Sequence, residues 1–430
     1  MILESKDKKY RLIFLILFIV GGSVYAIIQG AKGGDFKIYL GAAELLSQGD
    51  SCYNVWIHLG GDNYCGYSYS PIFATFLIPF SYLPSPTVEI LWSFANLFFL
   101  YRLFILFSGY LPLSKLSSRE YRFWAFVSAA LIARFVLHNF EMVQMTLFLL
   151  YCCFEAMHQL KKENYLLASL LIALGIVVKI IPIVLIPYLL YRKQFKPLLY
   201  TIVITVIFIL SPALIYGWDM NISLLSEWMD IINPNNTEFT TGQNINGEGV
   251  HSISGFIAAY FTDSESRFNL DYSRTIYLID QENFIILVNV IRLFLIAFTL
   301  YFLRTLPFKS SKNKLHTFWQ LCYIFTIAPL IFPHQQKYAF LFLAPAVLYT
   351  VYYLIITSRE QILPKPKFFI AFSSLFLFFA LASLTTDGLI GDHLNELSEY
   401  YKTITLGTFF LIVALAVCNP LFLRETSEGN

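Results

Sequence analysis

Apolar residues run along this chain in long blocks, and the polar residues gather in the stretches between them. Bounded by charges or turn formers, the blocks fall at 12–28, 87–107, 123–137, 143–157 and 165–178 in the first half. They continue at 180–191, 198–216, 284–303, 317–332, 338–356, 368–384 and 403–419. A chain in lipid must satisfy its backbone internally, so each block is expected to be a helix. Several are shorter than the roughly 20 residues an upright crossing needs, which predicts helices ending in a protein-lined or water-filled cavity. The pattern predicts an all-α, polytopic bundle of about 12 helices. It forms one domain over 1–420 with a short tail at 421–430. The larger outer loops, at about 29–86, 218–283 and 385–402, are expected to carry short helices.

Charge orients the bundle. Assigning the N-terminus, the connections around Lys115–Arg122, Lys161–Lys162, Arg192–Lys196, Arg304–Lys314 and Arg359–Lys367, and the C-terminus to one side gathers 20 of the 30 Lys and Arg there, with seven acids. The other side carries seven Lys and Arg against 19 acids. Lys and Arg of short loops stay in the cytoplasm, so both termini are expected inside, in a multi-pass protein of a bacterial inner membrane type. The parity requires 70–83 to lie in the outer interface without crossing. The basic start and first apolar run read as an uncleaved anchor, because no small-x-small cleavage site follows.

Composition narrows the class further. Charged residues make up 13% of the chain against about 25% in soluble proteins, 57% of the residues are apolar, and the mean hydropathy is +0.62. That excludes a cytosolic globule. A net charge of +2 gives no basic field for nucleic acid. No CxxC, HExxH, Walker or GxGxxG pattern and no internal repeat is present, so no metal ligand set or cofactor is expected. Cys52 and Cys65 share the first outer loop, where an oxidising compartment would permit a disulfide.

In so apolar a chain, ionisable groups at the ends of blocks call for an explanation. Five groups collect on the outer side. Gly33-Gly34-Asp35-Phe36-Lys37-Ile38-Tyr39 follows the first block, and Asp35 is there either a base or a helix cap. Arg134, His138, Asn139, Glu141 and Gln144 surround a hairpin, with a buried ion pair as the ordinary alternative. Lys179, before Ile180-Ile181-Pro182, sits at the tip of another hairpin and either snorkels or holds a phosphate. Pro333-His334-Gln335-Gln336-Lys337-Tyr338 is a polar knot or a solvated turn. Gly249 to Gly255, with His251, reads as a loop entering a helix capped by Ser252. Together these groups suit chemistry between a lipid phosphate and a polar acceptor.

At these residues the sequence resembles the polytopic GT-C glycosyltransferases, and most closely glycosyltransferase family 87, the polyprenol-phosphate-mannose-dependent mannosyltransferases. The matching stretches are Asp35-x3-Tyr39 with Leu46-x2-Gly49-x3-Tyr53, and Tyr67-x-Tyr69-Ser70-Pro71 with Pro79-x3-Leu83-Pro84 and Trp92-x3-Asn96. Gln144, Lys179-x2-Pro182 and Pro333-His334 follow in order. The family's Gly-Gln-x-Asn pattern stands here as Val143-Gln144-Met145-Thr146, and its Asn-Gln-Ser-Leu-x-Gly as Val250-His251-Ser252-Ile253-Ser254-Gly255.

The resemblance implies a GT-C-like fold and transfer of a sugar, with inversion, from a polyprenyl-phosphate donor. The acceptor would be a hydroxyl of a lipid or glycan on the outer face, and the donor is a substrate, not a cofactor. Asp35 is then the candidate base. Lys179, Arg134, Lys337 and His334 are the candidates for the donor phosphate, and Gln144, His251, Tyr39 and Tyr69 for sugar or acceptor, with Tyr67 beside them. A phosphate leaving group needs little protonation, so no paired general acid is required. The alternatives from other classes are a transporter or flippase for lipid-linked sugars, and a scaffold with a large outer loop.

Overall fold

A computed structural model describes residues 5–60, 63–233, 235, 249–263, 268, 270, 273–303 and 313–421. Most of the basic connection 304–314 and of the stretch 234–248, and the tail from 422, lie outside the described residues. The first helices are α1 (Ser5–Lys32) and α2 (Phe36–Gln48), followed by a two-stranded antiparallel hairpin, β1 (Trp56–Gly60) and β2 (Asn63–Gly66). Then come α3 (Pro71–Ser81), α4 (Ser85–Ser108), α5 (Ser118–Glu141), α6 (Thr146–Lys161), α7 (Tyr165–Val178), α8 (Leu185–Tyr191), α9 (Phe195–Leu210), α10 (Ala213–Tyr216) and α11 (Trp218–Ile232). The remainder supplies α12 (Ile253–Phe261), α13 (Gln281–Leu303), α14 (Lys314–Ile331), α15 (Ala344–Glu360), α16 (Lys365–Phe378), α17 (Asp387–Ile390), α18 (Asp392–Tyr400) and α19 (Thr403–Val417).

All twelve apolar blocks are helical. Among the described residues, six helical stretches are long and apolar enough to cross a membrane, or seven if α18 and α19, bent by 69°, form one broken span. The expected twelve crossings are therefore not all matched by length. Helices α7 and α8 are short, and α3, with 11 residues, rises only about 16 Å. It cannot cross alone. The stretch 29–86 departs from expectation in one respect: between its short helices it also carries the hairpin.

The chain forms two compact units, one of residues 1–106 and 137–233, the other of 107–136 and 234–430. In the first, α6, α7 and α9 pack side by side, and α2 lies on α3 and the hairpin. Arg102 of α4 and Glu155 of α6 form a two-pronged ion pair at 2.8 and 3.2 Å, and Gln159 donates to the same carboxylate at 2.7 Å. The carboxylate is buried and the guanidinium part-exposed, and the fork geometry gives the pair its direction.

In the second unit the central element is α15 with the 3-10 turn that leads into it, Lys337–Glu360, with 94% of its apolar window buried. Its tyrosines point their hydroxyls at carbonyls freed where another helix ends: Tyr349 reaches Cys418 at 2.7 Å and Tyr353 reaches Asn419 at 2.9 Å. Trp319 likewise donates to Leu415 at 2.8 Å. Helix α16 continues into a π turn at Phe379–Ser383. There Gly407 of α19 leaves room for Ala382, whose methyl carbon would lie 2.8 Å from a methyl group added at the glycine.

Removing the guanidinium strands the Glu155 carboxylate, which is the buried member of the pair. Arg102→Met should lose about 2 kcal/mol of stability in detergent unfolding, while Arg102→Met combined with Glu155→Met should lose less than the single change. Equal losses would show that the pair itself carries nothing.

Candidate functional site

The first unit builds its site around one side chain, Gln144, which is 1% exposed. Helix α5 ends in a left-handed turn with Val143 at φ +48. The Gln144 amide returns to the Asn139 carbonyl at 2.8 Å and the Val143 amide to Phe140 at 3.1 Å. This is the six-to-one and five-to-two pairing of a Schellman cap, whose left-handed position usually falls to glycine. A β-branched residue there holds strain of about 1–3 kcal/mol, offset by complete burial of its side chain. The turn projects Gln144 inward. Its own carbonyl is held by Trp92 Nε1 at 3.1 Å and Asn96 Nδ2 at 3.3 Å, both from α4.

Every polar atom of the Gln144 amide group is engaged. Nε2 donates to Asp35 Oδ2. Oε1 lies 2.9 Å from the Tyr39 hydroxyl and 3.2 Å from that of Tyr69, and the two hydroxyls are 2.9 Å apart. Either both tyrosines donate to the amide oxygen, or Tyr39 donates through Tyr69. Tyr69 is further fixed by its carbonyl, which accepts from Tyr53 at 2.7 Å, while Tyr67 donates to Ser70 at 2.7 Å. Ser70 caps α3 and also bonds the Val177 carbonyl at the end of α7.

Asp35 stands at the N-cap of α2 but makes no capping bond through its side chain. The carboxylate turns to Gln144 instead, so the helix-cap reading fails at this position. Its backbone is gripped as well: the Asp35 amide donates to Met142 O at 3.0 Å. A methyl group on Gly34 would fall 2.6 Å from that oxygen, and one on Gly33, at φ +77, would meet Lys37 Nζ at 2.7 Å and Glu89 Oε2 at 2.8 Å. The paired glycines are thus a steric requirement. Burial pushes the Asp35 carboxyl above the ordinary aspartate range, while Gln144, His138 and Lys179 pull it back.

Lys179 follows the last residue of α7, with Ile180-Ile181-Pro182 turning the chain into α8. Its ammonium sits 5.2 Å from the centre of the Tyr69 ring. Burial lowers its pKa to about 8, and the Asp35 charge opposes that shift. Acid, cation, amide and tyrosines therefore share one electrostatic neighbourhood. His138 and Glu141, at 3.1 Å, form a separate pair.

The remaining candidates belong to the second unit. Arg134, 6% exposed, donates to the Ala382 carbonyl at 2.9 Å and to the Thr385 hydroxyl, closing the π turn. Lys337 is ion-paired with the buried carboxylate of Glu399. His251 is fully buried; its amide donates to Gln335 O at 2.8 Å and its carbonyl accepts from Thr405 at 2.7 Å. His334 is half-buried at φ +56. Ser252 does occupy the N-cap of α12, yet its hydroxyl meets Ser254 at 2.9 Å and makes no capping bond. Cys52 and Cys65 are both free thiols.

One contributor was missed in the sequence, and two were named there without a role. Glu89, fully buried and bonded to Ser85, was not singled out, although it is an acid near the start of an apolar block. Trp92 and Asn96 entered only through the family resemblance, although their spacing of four places both on one helix face. Among the described residues no group of three or more His, Cys, Asp or Glu could hold a metal ion.

If Asp35 works as an ionised base, its raised pKa moves the acidic limb of activity upward from the usual carboxylate range. Gln144→Leu removes the donor that opposes this shift. The limb should then move to still higher pH, with stability down by about 2 kcal/mol from the stranded hydroxyls and carboxylate. An unmoved limb would separate Gln144 from the titrating group.

The sequence profile of glycosyltransferase family 87 matches residues 67–333. This stretch includes Tyr69, Arg134, Gln144, Lys179 and His251; Asp35 and Tyr39 precede it, and His334 and Lys337 follow. No curated protein and no solved structure matches the chain.

Proposed function

The chain belongs to glycosyltransferase family 87, and from that premise we propose that it moves a sugar, mannose in the first instance, from a polyprenyl-phosphate carrier to an acceptor hydroxyl on the outer face of a membrane. The observation that carries the reading is one cluster that holds both a part-buried carboxylate, Asp35, hydrogen-bonded to Gln144, and a cation, Lys179, whose ammonium faces the Tyr69 ring at 5.2 Å. Membership in a glycosyltransferase family and six helices able to cross a membrane support the class of reaction and the setting.

In the proposed reaction Asp35 takes the proton from the acceptor hydroxyl as its oxygen attacks the anomeric carbon. The bond from that carbon to the phosphate oxygen breaks, and the lipid phosphate leaves with the electron pair. The stereochemistry inverts. Desolvation suits the base, because a carboxyl titrating above its ordinary range accepts a proton more readily. The Lys179 ammonium is held before the phosphate arrives and stabilises the charge gathering on the leaving group without reorganising. Tyr39 and Tyr69, tied to Gln144, form the wall against which the sugar or the acceptor lies. Arg134 and Lys337 have their first partners in the second unit, so their part in phosphate binding is a second, independent element of the proposal.

The test is transfer from a defined polyprenyl-phosphate sugar by the reconstituted protein. Asp35→Asn should lower turnover about a thousandfold, with donor affinity retained. Near-normal turnover would remove Asp35 from the reaction.

Lys179→Met should raise the donor KM by ten- to a hundredfold, the equivalent of about 1.5–3 kcal/mol for a charged hydrogen bond. An unchanged donor KM returns Lys179 to an interfacial role.

A further inference from the structure

Helix α11 follows a stretch apolar enough to cross a membrane, Phe195–Tyr216, and is separated from it by Gly217 at φ +84. Glycine takes a positive φ without steric cost, so the chain can turn there. The turn is sharp. Asn221 Nδ2 donates to the Ile209 carbonyl, 12 positions earlier, at 3.4 Å, whereas straight helix of that length would hold the two about 18 Å apart. Helix α11 therefore leaves the direction of the crossing stretch.

At 3.6 residues per turn its side chains fall into three sectors, each about a third of the circumference or less. Asn221, Leu224, Trp228 and Ile231 are buried in the first unit. Asp219, Ser223, Ser226, Glu227 and Asp230 make a polar sector, exposed except for half-buried Glu227. Between these two lies an apolar one: Trp218 is 58% exposed, Ile222 45% and Met229 56%, with Leu225 half-buried. Met220 and Ile232 fall on the borders of the buried sector and are half-buried, as this division requires.

A helix between core and water needs two sectors. A third that is both apolar and exposed calls for a third medium, and the bilayer is the apolar medium that the preceding stretch already meets: only 11% of the apolar window in Phe195–Tyr216 is buried. Leu214, 90% exposed, and Ile215, 64% exposed, stand at its end, just before Gly217. Helices that lie in a membrane surface bury such a sector at the boundary of headgroups and acyl chains and keep the charged one in water, with Trp favoured at that depth.

The polar sector is not idle. Glu227 accepts from Ser51 at 2.9 Å and Asn54 at 3.4 Å, and is braced by Ser223 at 3.2 Å. The turn it grips carries Tyr53, whose hydroxyl holds the Tyr69 carbonyl. We infer that α11 lies along the lipid–water boundary with Trp218, Ile222, Leu225 and Met229 in contact with lipid, and that through Glu227 it ties the turn 51–54, and with it the tyrosines of the candidate site, to the membrane surface. The occupant of the exposed sector is the bilayer itself.

The experiment uses the full chain in phosphatidylcholine vesicles brominated either near the headgroups or near the chain ends, and compares wild type with Trp218→Phe. The emission that distinguishes the two proteins comes from position 218. Shallow bromines should quench it at least about threefold more than deep ones, as an apolar face sunk about 5–10 Å into the boundary demands. No quenching by either lipid overturns the inference, because Trp218 then faces water or protein. Stronger quenching from the deep bromines also overturns it, since α11 would then be part of a crossing. So does quenching that appears only when the protein is diluted in lipid, which would make a second copy the occupant. Should Trp218→Phe fail to fold, a nitroxide on Ile222→Cys gives the same answer: collision with oxygen must exceed collision with a water-soluble nickel chelate, and the reverse order refutes the placement. For the tether, Glu227→Ala should speed amide hydrogen exchange at 51–55 about tenfold while leaving the quenching of Trp218 unchanged. Exchange at the wild-type rate would show that α11 does not hold the turn.

Discussion

One side-chain amide organises the first unit. Gln144 donates to Asp35, accepts from the tyrosine pair, and has its own backbone carbonyl held by Trp92 and Asn96. A buried primary amide is costly unless its donors and its acceptor are used, and here the groups it satisfies are themselves polar and desolvated. The dependence runs both ways. Asp35 is accommodated in a part-buried setting because a neutral donor faces it, and the tyrosine hydroxyls avoid burial without a partner because the amide oxygen receives them. Such a network fixes geometry more firmly than its members would separately.

The two units solve the problem of polar groups in an apolar chain differently. In the first, carboxylate, amide, hydroxyls and ammonium meet beside glycines that admit the backbone to close range. In the second, side chains mostly close the ends of helices: Tyr349 and Tyr353 reach carbonyls at the end of α19, and Arg134 reaches the carbonyl that the π turn of α16 exposes. A π turn shifts the hydrogen-bond register and leaves such a carbonyl in need of a donor. Arg134 supplies it, so the position that looked in sequence like one corner of an ion-pair face has a task set by the fold.

The long helices were legible because the length of an apolar run is a one-dimensional property. Polar residues within or beside those runs marked Asp35, Gln144 and Lys179, and the structure brings these three together. The roles were less legible. Nothing in the local sequence says whether Asp35 caps a helix, since the same residue in the same place serves either purpose, and the answer depends on Gln144 more than 100 positions away. The hairpin was missed because its strands have only five and four residues, interrupted by a shift in register between His58 and Gly60. So brief an alternation is lost beside the helical blocks. Glu89 illustrates the opposite limit: its acidity was visible, but its proximity to Gly33 and Lys37 exists only in three dimensions.

The Val143 turn has a consequence for how this region can move. Glycine at a left-handed position swings readily between basins, so a peptide link beside it can flip. A valine forced into that basin, with its methyls packed and 0% exposed, has no neighbouring well to enter without vacating its cavity. The loop that presents the amide is therefore a stiff hinge pin and not a latch, and whatever rearrangement accompanies turnover must be absorbed by other segments.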